Sequence, residues 1–147
     1  AILGLTPSHT TSHIYRAVLE SFAYNIRQGF DPLRHQIKRT VATAGGAQSR
    51  LWRQIMADVL NTPVEYHPAG GGALGIAFLA GYAVGLLEDF DLIWNRWLCE
   101  PEILQPDLGA HATYNHAYAS YCEFDQVLAE PFAHLAASDG LSPGQPD

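Results

Sequence analysis

The residues best suited to chemistry are Thr43-Ala44-Gly45-Gly46-Ala47-Gln48-Ser49. They follow a short β-branched run and precede an amphipathic one, so two glycines sit where a strand hands over to a helix. Glycines at such a point let a ligand come close to the backbone, and free amides at a helix start favour an anion such as a phosphate. The same residues also suit a tight turn that holds nothing, and their types alone leave both readings open. The pattern is neither GxxxxGK[ST] nor GxGxxG, so it is neither a Walker loop nor a dinucleotide fingerprint.

Other candidate chemistry is thinner. Gly70-Gly71-Gly72 reads first as a flexible loop that lets the following helix pack closely, with ligand contact as the lesser reading. His9 and His13 are four apart but have no carboxylate at a ligand spacing, and neither HExxH nor a Cys/His cluster occurs, which argues against zinc. Ser/His/Asp spacing excludes nothing by itself, although Gly-x-Ser-x-Gly is absent. Tyr114, Tyr118 and Tyr121 read as a packing seam rather than a base-stacking platform. Arg16 and Glu20, four apart, read as a surface ion pair.

The elements that must position the glycine pair follow from periodicity. Ile14, Ala17, Val18, Phe22 and Ile26 predict a helix over residues 12–28, with Ser12 as N-cap, Gly29 just past its end and Pro32 beyond. Residues 39–44 predict a buried strand. Ser49 caps a second helix whose Trp52, Ile55, Met56, Val59 and Leu60 share one face, and Asn61-Thr62-Pro63 ends it. Residues 64–67 are a brief strand, completing a parallel crossover.

Residues 73–85, small and apolar on every side, predict a deeply packed helix whose glycines admit a close neighbour. Residues 88–98 predict a short helix, 99–112 a loop, and the tyrosine-bearing segment a last helix that Pro131 kinks or ends. Residues 138–147, rich in Gly and Pro, predict a disordered tail. Two strands are too few for a parallel sheet with both faces covered, so part of the domain is expected outside this sequence.

Composition bounds the rest. The 147 residues are 48% apolar and 16% charged, which fits one folded domain and excludes wholesale disorder. Eight Lys+Arg against fifteen Asp+Glu, a net charge of −7, argue against a broad nucleic-acid or anionic-membrane surface. The longest apolar run is too short to span a bilayer and no signal peptide is visible. Two cysteines without CxxC spacing suit a reducing compartment, so a soluble cytoplasmic domain is expected.

Gly4-Leu5, seven residues, then His13-Ile14-Tyr15-Arg16-Ala17-Val18-Leu19-Glu20 resembles the second signature of the FGGY carbohydrate kinases. Gly45-Gly46-Ala47-Gln48-Ser49, then Trp52-Arg53-Gln54-Ile55-Met56-Ala57-Asp58-Val59-Leu60 and Pro63-Val64, resembles the adenine-nucleotide motif of xylulokinase-type members. Ala73-Leu74-Gly75-Ile76-Ala77 through Gly85 resembles the helix that follows it. The likeness implies an α/β fold: part of an actin-like, ribonuclease-H-like ATPase domain, helix-rich because upstream strands are missing. It implies a C-terminal, N-terminally truncated kinase domain over residues 1–137, and ATP-dependent phosphorylation of a pentulose or related sugar or polyol hydroxyl.

Gly45 and Gly46 are then where family backbones meet the nucleotide phosphates. Ser49 or Arg50 is the residue against adenine, because this loop is one residue shorter than in glycerol kinases. The catalytic aspartate, the Mg²⁺-associated acid and the sugar site precede this stretch in the family, so no catalytic or metal residue carries over and the chain alone is expected to be inactive. ATP, Mg²⁺ and a small sugar are the implied ligands, with homodimerisation left open. The alternative is a noncatalytic actin-like module that binds nucleotide or only dimerises.

Overall fold

The apolar spacing from Ile14 onward produces α1 (Thr11–Phe30) in the computed structural model, which describes residues 2–33, 37, 39–43, 45–98 and 100–138. Its cap is Thr10 rather than Ser12. The Thr10 amide donates to His13 Nδ1 at 3.1 Å, and Thr10 Oγ1 lies 2.8 Å from the same nitrogen. His13 thereby fills the place of Glu or Gln in a capping box. His9 Nδ1 accepts the Thr6 amide at 2.9 Å, so both histidines serve the entry to α1. Gly29 does not end the helix: Phe30 packs on the core and Asp31 keeps right-handed backbone, so no left-handed glycine cap forms.

β1 (Thr40–Ala42), α2 (Arg50–Leu60) and β2 (Val64–Tyr66) form the parallel crossover, with Thr40, Val41 and Ala42 opposite Val64, Glu65 and Tyr66. Ser49 caps α2, its hydroxyl accepting the Trp52 amide at 3.3 Å. Asn61 closes the helix in the left-handed region at φ 52°, which Asn tolerates better than most residues. A third strand, β3 (Glu102–Leu104), pairs antiparallel with β2 where the sequence predicts a loop. Three residues between Pro101 and Pro106 are too few to show a period.

Alternation gives this small mixed sheet two unlike faces. Val64 points into a core with Ala23, Tyr24, Ile55, Met56 and Val59, and Leu104 is buried beside it in register. On the other face Val41 and Ile103, both in register with Glu65, are exposed. β1 is therefore half covered rather than buried, because the described helices pack on one side of it only.

α4 (Leu108–Ser138) closes the core against α1 and α2. Its Tyr114, Tyr118 and Tyr121 gather around Tyr24 of α1, with centroids 6.2, 5.9 and 5.4 Å away, as the packing seam requires. Arg16 donates through Nε to Glu20 at 2.8 Å and through Nη2 to the Tyr114 hydroxyl at 2.7 Å, so the i,i+4 pair also ties α1 to α4. Pro131 does not end α4, which continues to Ser138. The proline deprives the Val127 carbonyl of its donor, a loss that water offsets on an exposed helix. Residues 139–147 of the expected tail lie outside the described residues.

α3 (Gly72–Ala83) departs furthest from expectation. It is apolar throughout, yet only Phe78 is buried, and Ile76 and Leu79 are 70% and 54% exposed. Phe78 and Tyr82 pack on Phe90, and Phe78 also on Trp97, at the end of a π-helical turn, Ile93–Trp97. Gly81 does admit a close neighbour, since a Cβ there would lie 2.9 Å from Leu87 Cδ1. Deep packing fails because no described element covers the rest of the helix.

Candidate functional site

Because Ala42 and Tyr66 pair at the ends of two parallel strands, the chain leaves the sheet twice at one edge. The Gly45–Gln48 segment follows Ala42 closely, and Gly70-Gly71-Gly72 follows Tyr66 just as closely. In open α/β sheets ligands bind beyond the carboxyl ends of the strands. The second turn has a structural duty of its own: the Gly70 amide donates to the His67 carbonyl at 2.8 Å, and a Cβ on Gly70 would lie 3.0 Å from His67 Cβ.

Gly45–Gln48 is a 3₁₀ turn that runs through Ser49 into α2. Ala47 is fully buried beneath it, and the Ser49 amide donates to the Gly46 carbonyl at 3.2 Å. Neither Gly45 nor Gly46 has left-handed backbone, and a Cβ on either would meet no atom within 4 Å. The fold itself makes no demand for glycine at these two positions. What the missing side chains leave is open space over the start of the 3₁₀ turn, whose leading amides have no acceptor within the turn itself.

Ser49 and Arg50 complete the segment. Ser49 Oγ is engaged as the cap of α2. Arg50 is 71% exposed, and its Nε donates to Glu102 Oε1 at 3.2 Å, which sets a cation at the rim. Gly45, Gly46, Ser49 and Arg50 thus follow one another along the turn that enters α2.

Beneath that turn lies Arg53, only 3% exposed, which donates through Nη1 to the Ala47 carbonyl at 2.6 Å and through Nη2 to Glu102 Oε2. Sequence reasoning misses both residues. Arg53 precedes Met56 by three and Ala57 by four, so it falls on the packed face of α2, where a cation needs a partner. That signal was available; β3, which carries Glu102, gave none.

The neighbouring carboxylates are already committed. Glu102 is held by Arg50 and Arg53, while Asp58 Oδ1 accepts Gln54 Nε2 at 2.8 Å and the Asp107 amide at 2.9 Å. Arg39 donates through Nε (2.8 Å) and Nη2 (2.5 Å) to Glu65 Oε2, and this hydrogen bonding holds the Glu65 carboxyl below its ordinary pKa. These groups can seat an anion on backbone amides beside a cation.

Residues 1–84 match the FGGY family of carbohydrate kinases, C-terminal domain. The chain is 26% identical over 125 residues to xylulose kinase of Staphylococcus epidermidis, covering 82% of this chain and 25% of that protein. It is 37% identical over 102 residues to glycerol kinase of Alkaliphilus oremlandii, covering 66% of this chain and 20% of that protein. The crystal structure of xylulose kinase from Rhodospirillum rubrum superposes with a TM-score of 0.71 at 35% identity, over 89% of this chain and 27% of that one. The chain therefore spans about a quarter of the length of such relatives. With more than half of its length matched by the family and a solved xylulose kinase superposing over most of it, the chain belongs to the FGGY carbohydrate kinases, in their C-terminal domain.

Proposed function

We propose that the protein containing this chain transfers the γ-phosphoryl group of ATP to a hydroxyl of a sugar or polyol, with a pentulose such as xylulose as the first choice. In this reading the chain supplies the nucleotide-binding part. One observation carries it: Gly45 and Gly46 stand at the carboxyl end of β1 with free space above them and no conformational need for glycine. Room for a bound phosphate chain accounts for that choice of residue. Phosphoryl transfer rests mostly on positioning and charge stabilisation. Here the amides of Gly45 and Gly46 orient the phosphates, Arg50 lends positive charge at the rim, and Ser49 or Arg50 lies against the adenine.

Residues 1–137 form, on this proposal, the distal part of a two-domain kinase's C-terminal domain, and the exposed faces of α3 and of the sheet are covered by the remainder of that domain. The base that accepts the hydroxyl proton and the Mg²⁺ ligands belong to that remainder. Among the described residues, no group of three or more His, Cys, Asp or Glu side chains comes together to hold a metal. On this reading Mg²⁺ enters as the companion of ATP, and the cytoplasm is the setting that supplies both.

The exposed apolar face of α3 also favours a second reading, a noncatalytic actin-like module that packs on another copy. Amide-shift mapping of the chain with Mg-ATP, paired with a xylulose phosphorylation assay, separates the two. The proposal expects shifts centred on Gly45, Gly46 and Arg50 and no turnover by the chain alone. Shifts confined to α3, or phosphorylation by these 147 residues unaided, would overturn it.

A further inference from the structure

A buried guanidinium is costly unless its donors are met, and Arg53 engages both terminal nitrogens in an instructive way, while its Nε is buried without a hydrogen-bond partner among the described residues. Nη1 donates to the Ala47 carbonyl at 2.6 Å, Nη2 to Glu102 Oε2, and the guanidinium carbon lies 4.1 Å from the centroid of the Tyr66 ring. Those three partners come from the glycine turn, from β3 and from the last residue of β2. Glu102 is itself forked, since its other oxygen accepts Arg50. It lies past residue 84, where the family match ends.

We infer that Arg53 is the positioning residue of the glycine turn. The Ala47 carbonyl and the amides of Gly45 and Gly46 belong to one 3₁₀ turn, so holding that carbonyl fixes the peptide planes that aim those amides. Arg53 is in turn clamped from one side by Glu102 and from another by the face of Tyr66. Lysine cannot reproduce this, because a single ammonium on a flexible stem does not serve Ala47 and Glu102 as a planar fork does. Glu102 does double duty: through Arg53 it sets the floor of the site, and through Arg50 it sets the rim.

This inference rests on the nucleotide reading above, and its test keeps the two apart. Wild-type chain, Arg53→Lys and Glu102→Gln are compared by Mg-ATP titration and by amide hydrogen exchange resolved at Gly46–Gln48. The expected result is an affinity loss of about tenfold for Arg53→Lys, on the scale of one lost hydrogen bond to a charged group. Exchange at Gly46–Gln48 speeds up while the core amides of Ile55–Val59 stay protected. Glu102→Gln, on a half-exposed side chain, shows the same pattern more weakly and decides the matter should Arg53→Lys fail to fold. Equal exchange at Gly46–Gln48 in the variants and the wild type overturns the positioning role, whether or not ATP binds. Looser exchange in a wild-type background that binds no ATP supports the positioning role and removes the nucleotide reading instead. An affinity loss accompanied by uniformly faster exchange through α2 marks a merely structural arginine and also overturns it.

Discussion

Ala42 faces Tyr66 at the carboxyl ends of two parallel strands, and this one register sets the Gly45–Gly46 turn at the edge of the sheet where ligands of open α/β folds bind. A Cβ on Gly46 would meet no atom of the described residues within 4 Å, so Gly46→Val tests the site with little expected demand on the fold. The variant is expected to keep its stability to within about 1 kcal/mol, as surface substitutions do. Its affinity for Mg-ATP is expected to fall by at least about tenfold, because the methyls occupy the space where amides would meet phosphate. Calorimetric titration of both proteins checks this, and equal dissociation constants would remove the role assigned to the turn.

The junction of α2 with α4 rests on Asp58. Its Oδ1 accepts the Asp107 amide at 2.9 Å, and Asp107 Oδ1 accepts the amides of Gly109 and Ala110 at 2.8 and 2.9 Å to start α4. Asp58→Ala removes the shared acceptor of the Asp107 amide and Gln54 Nε2 at a half-buried junction, an effect of about 1–3 kcal/mol for bonds to a charged group. Asp58→Asn keeps an acceptor at the same place and is expected to lose less. Urea denaturation provides the comparison, and coincident midpoints for wild type and Asp58→Ala would show that the junction contributes nothing.

What could be read in the sequence was local, and what could not was tertiary. Ser49, the apolar face of α2 and Asn61 all act within one helix, so its bounds, its cap and the glycine pair that precedes it are legible from spacing, whereas Arg50 enters only through the family likeness. The end of α1 is not, because Phe30 reaches the core and Arg27 Nη1 donates to the Val59 carbonyl at 3.2 Å, and these contacts carry the helix past Gly29. β3 is invisible for the same reason: Leu104 becomes a strand residue only by pairing with Val64, far back in the chain. The Arg53–Glu102 pair inherits that invisibility. For α3 the apolar pattern is plain in the sequence, but the described residues do not include what would bury it.

That uncovered helix makes its own prediction. Ile76 and Leu79 are mostly exposed, so Glu at either position creates no buried charge and no cavity. Ile76→Glu and Leu79→Glu are expected to leave the melting temperature of the chain nearly unchanged and to lower its binding of an apolar fluorescent dye, since exposed apolar patches of this kind attract such probes and partners. A fall in melting temperature of several degrees would show instead that the face is already covered in solution.

The tyrosines between α1 and α4 fix the response to alkali. Burial is the main force pushing the phenols of Tyr24, Tyr114 and Tyr118 above their ordinary value of 10.0. The folded chain therefore keeps phenolic protons that the unfolded chain gives up at pH 10. A raised folded pKa contributes stability in full below the unfolded pKa, and that stability drains as pH climbs past it. Tyr24, almost wholly buried, accounts for up to about 1.4 kcal/mol per pH unit in that range. Tyr24→Phe has no such proton to hold, so its stability is expected to decline less steeply between pH 10 and 12. Denaturation midpoints at stepped pH give both slopes, and parallel slopes would mean that the buried ring of Tyr24 ionises as freely in the fold as out of it.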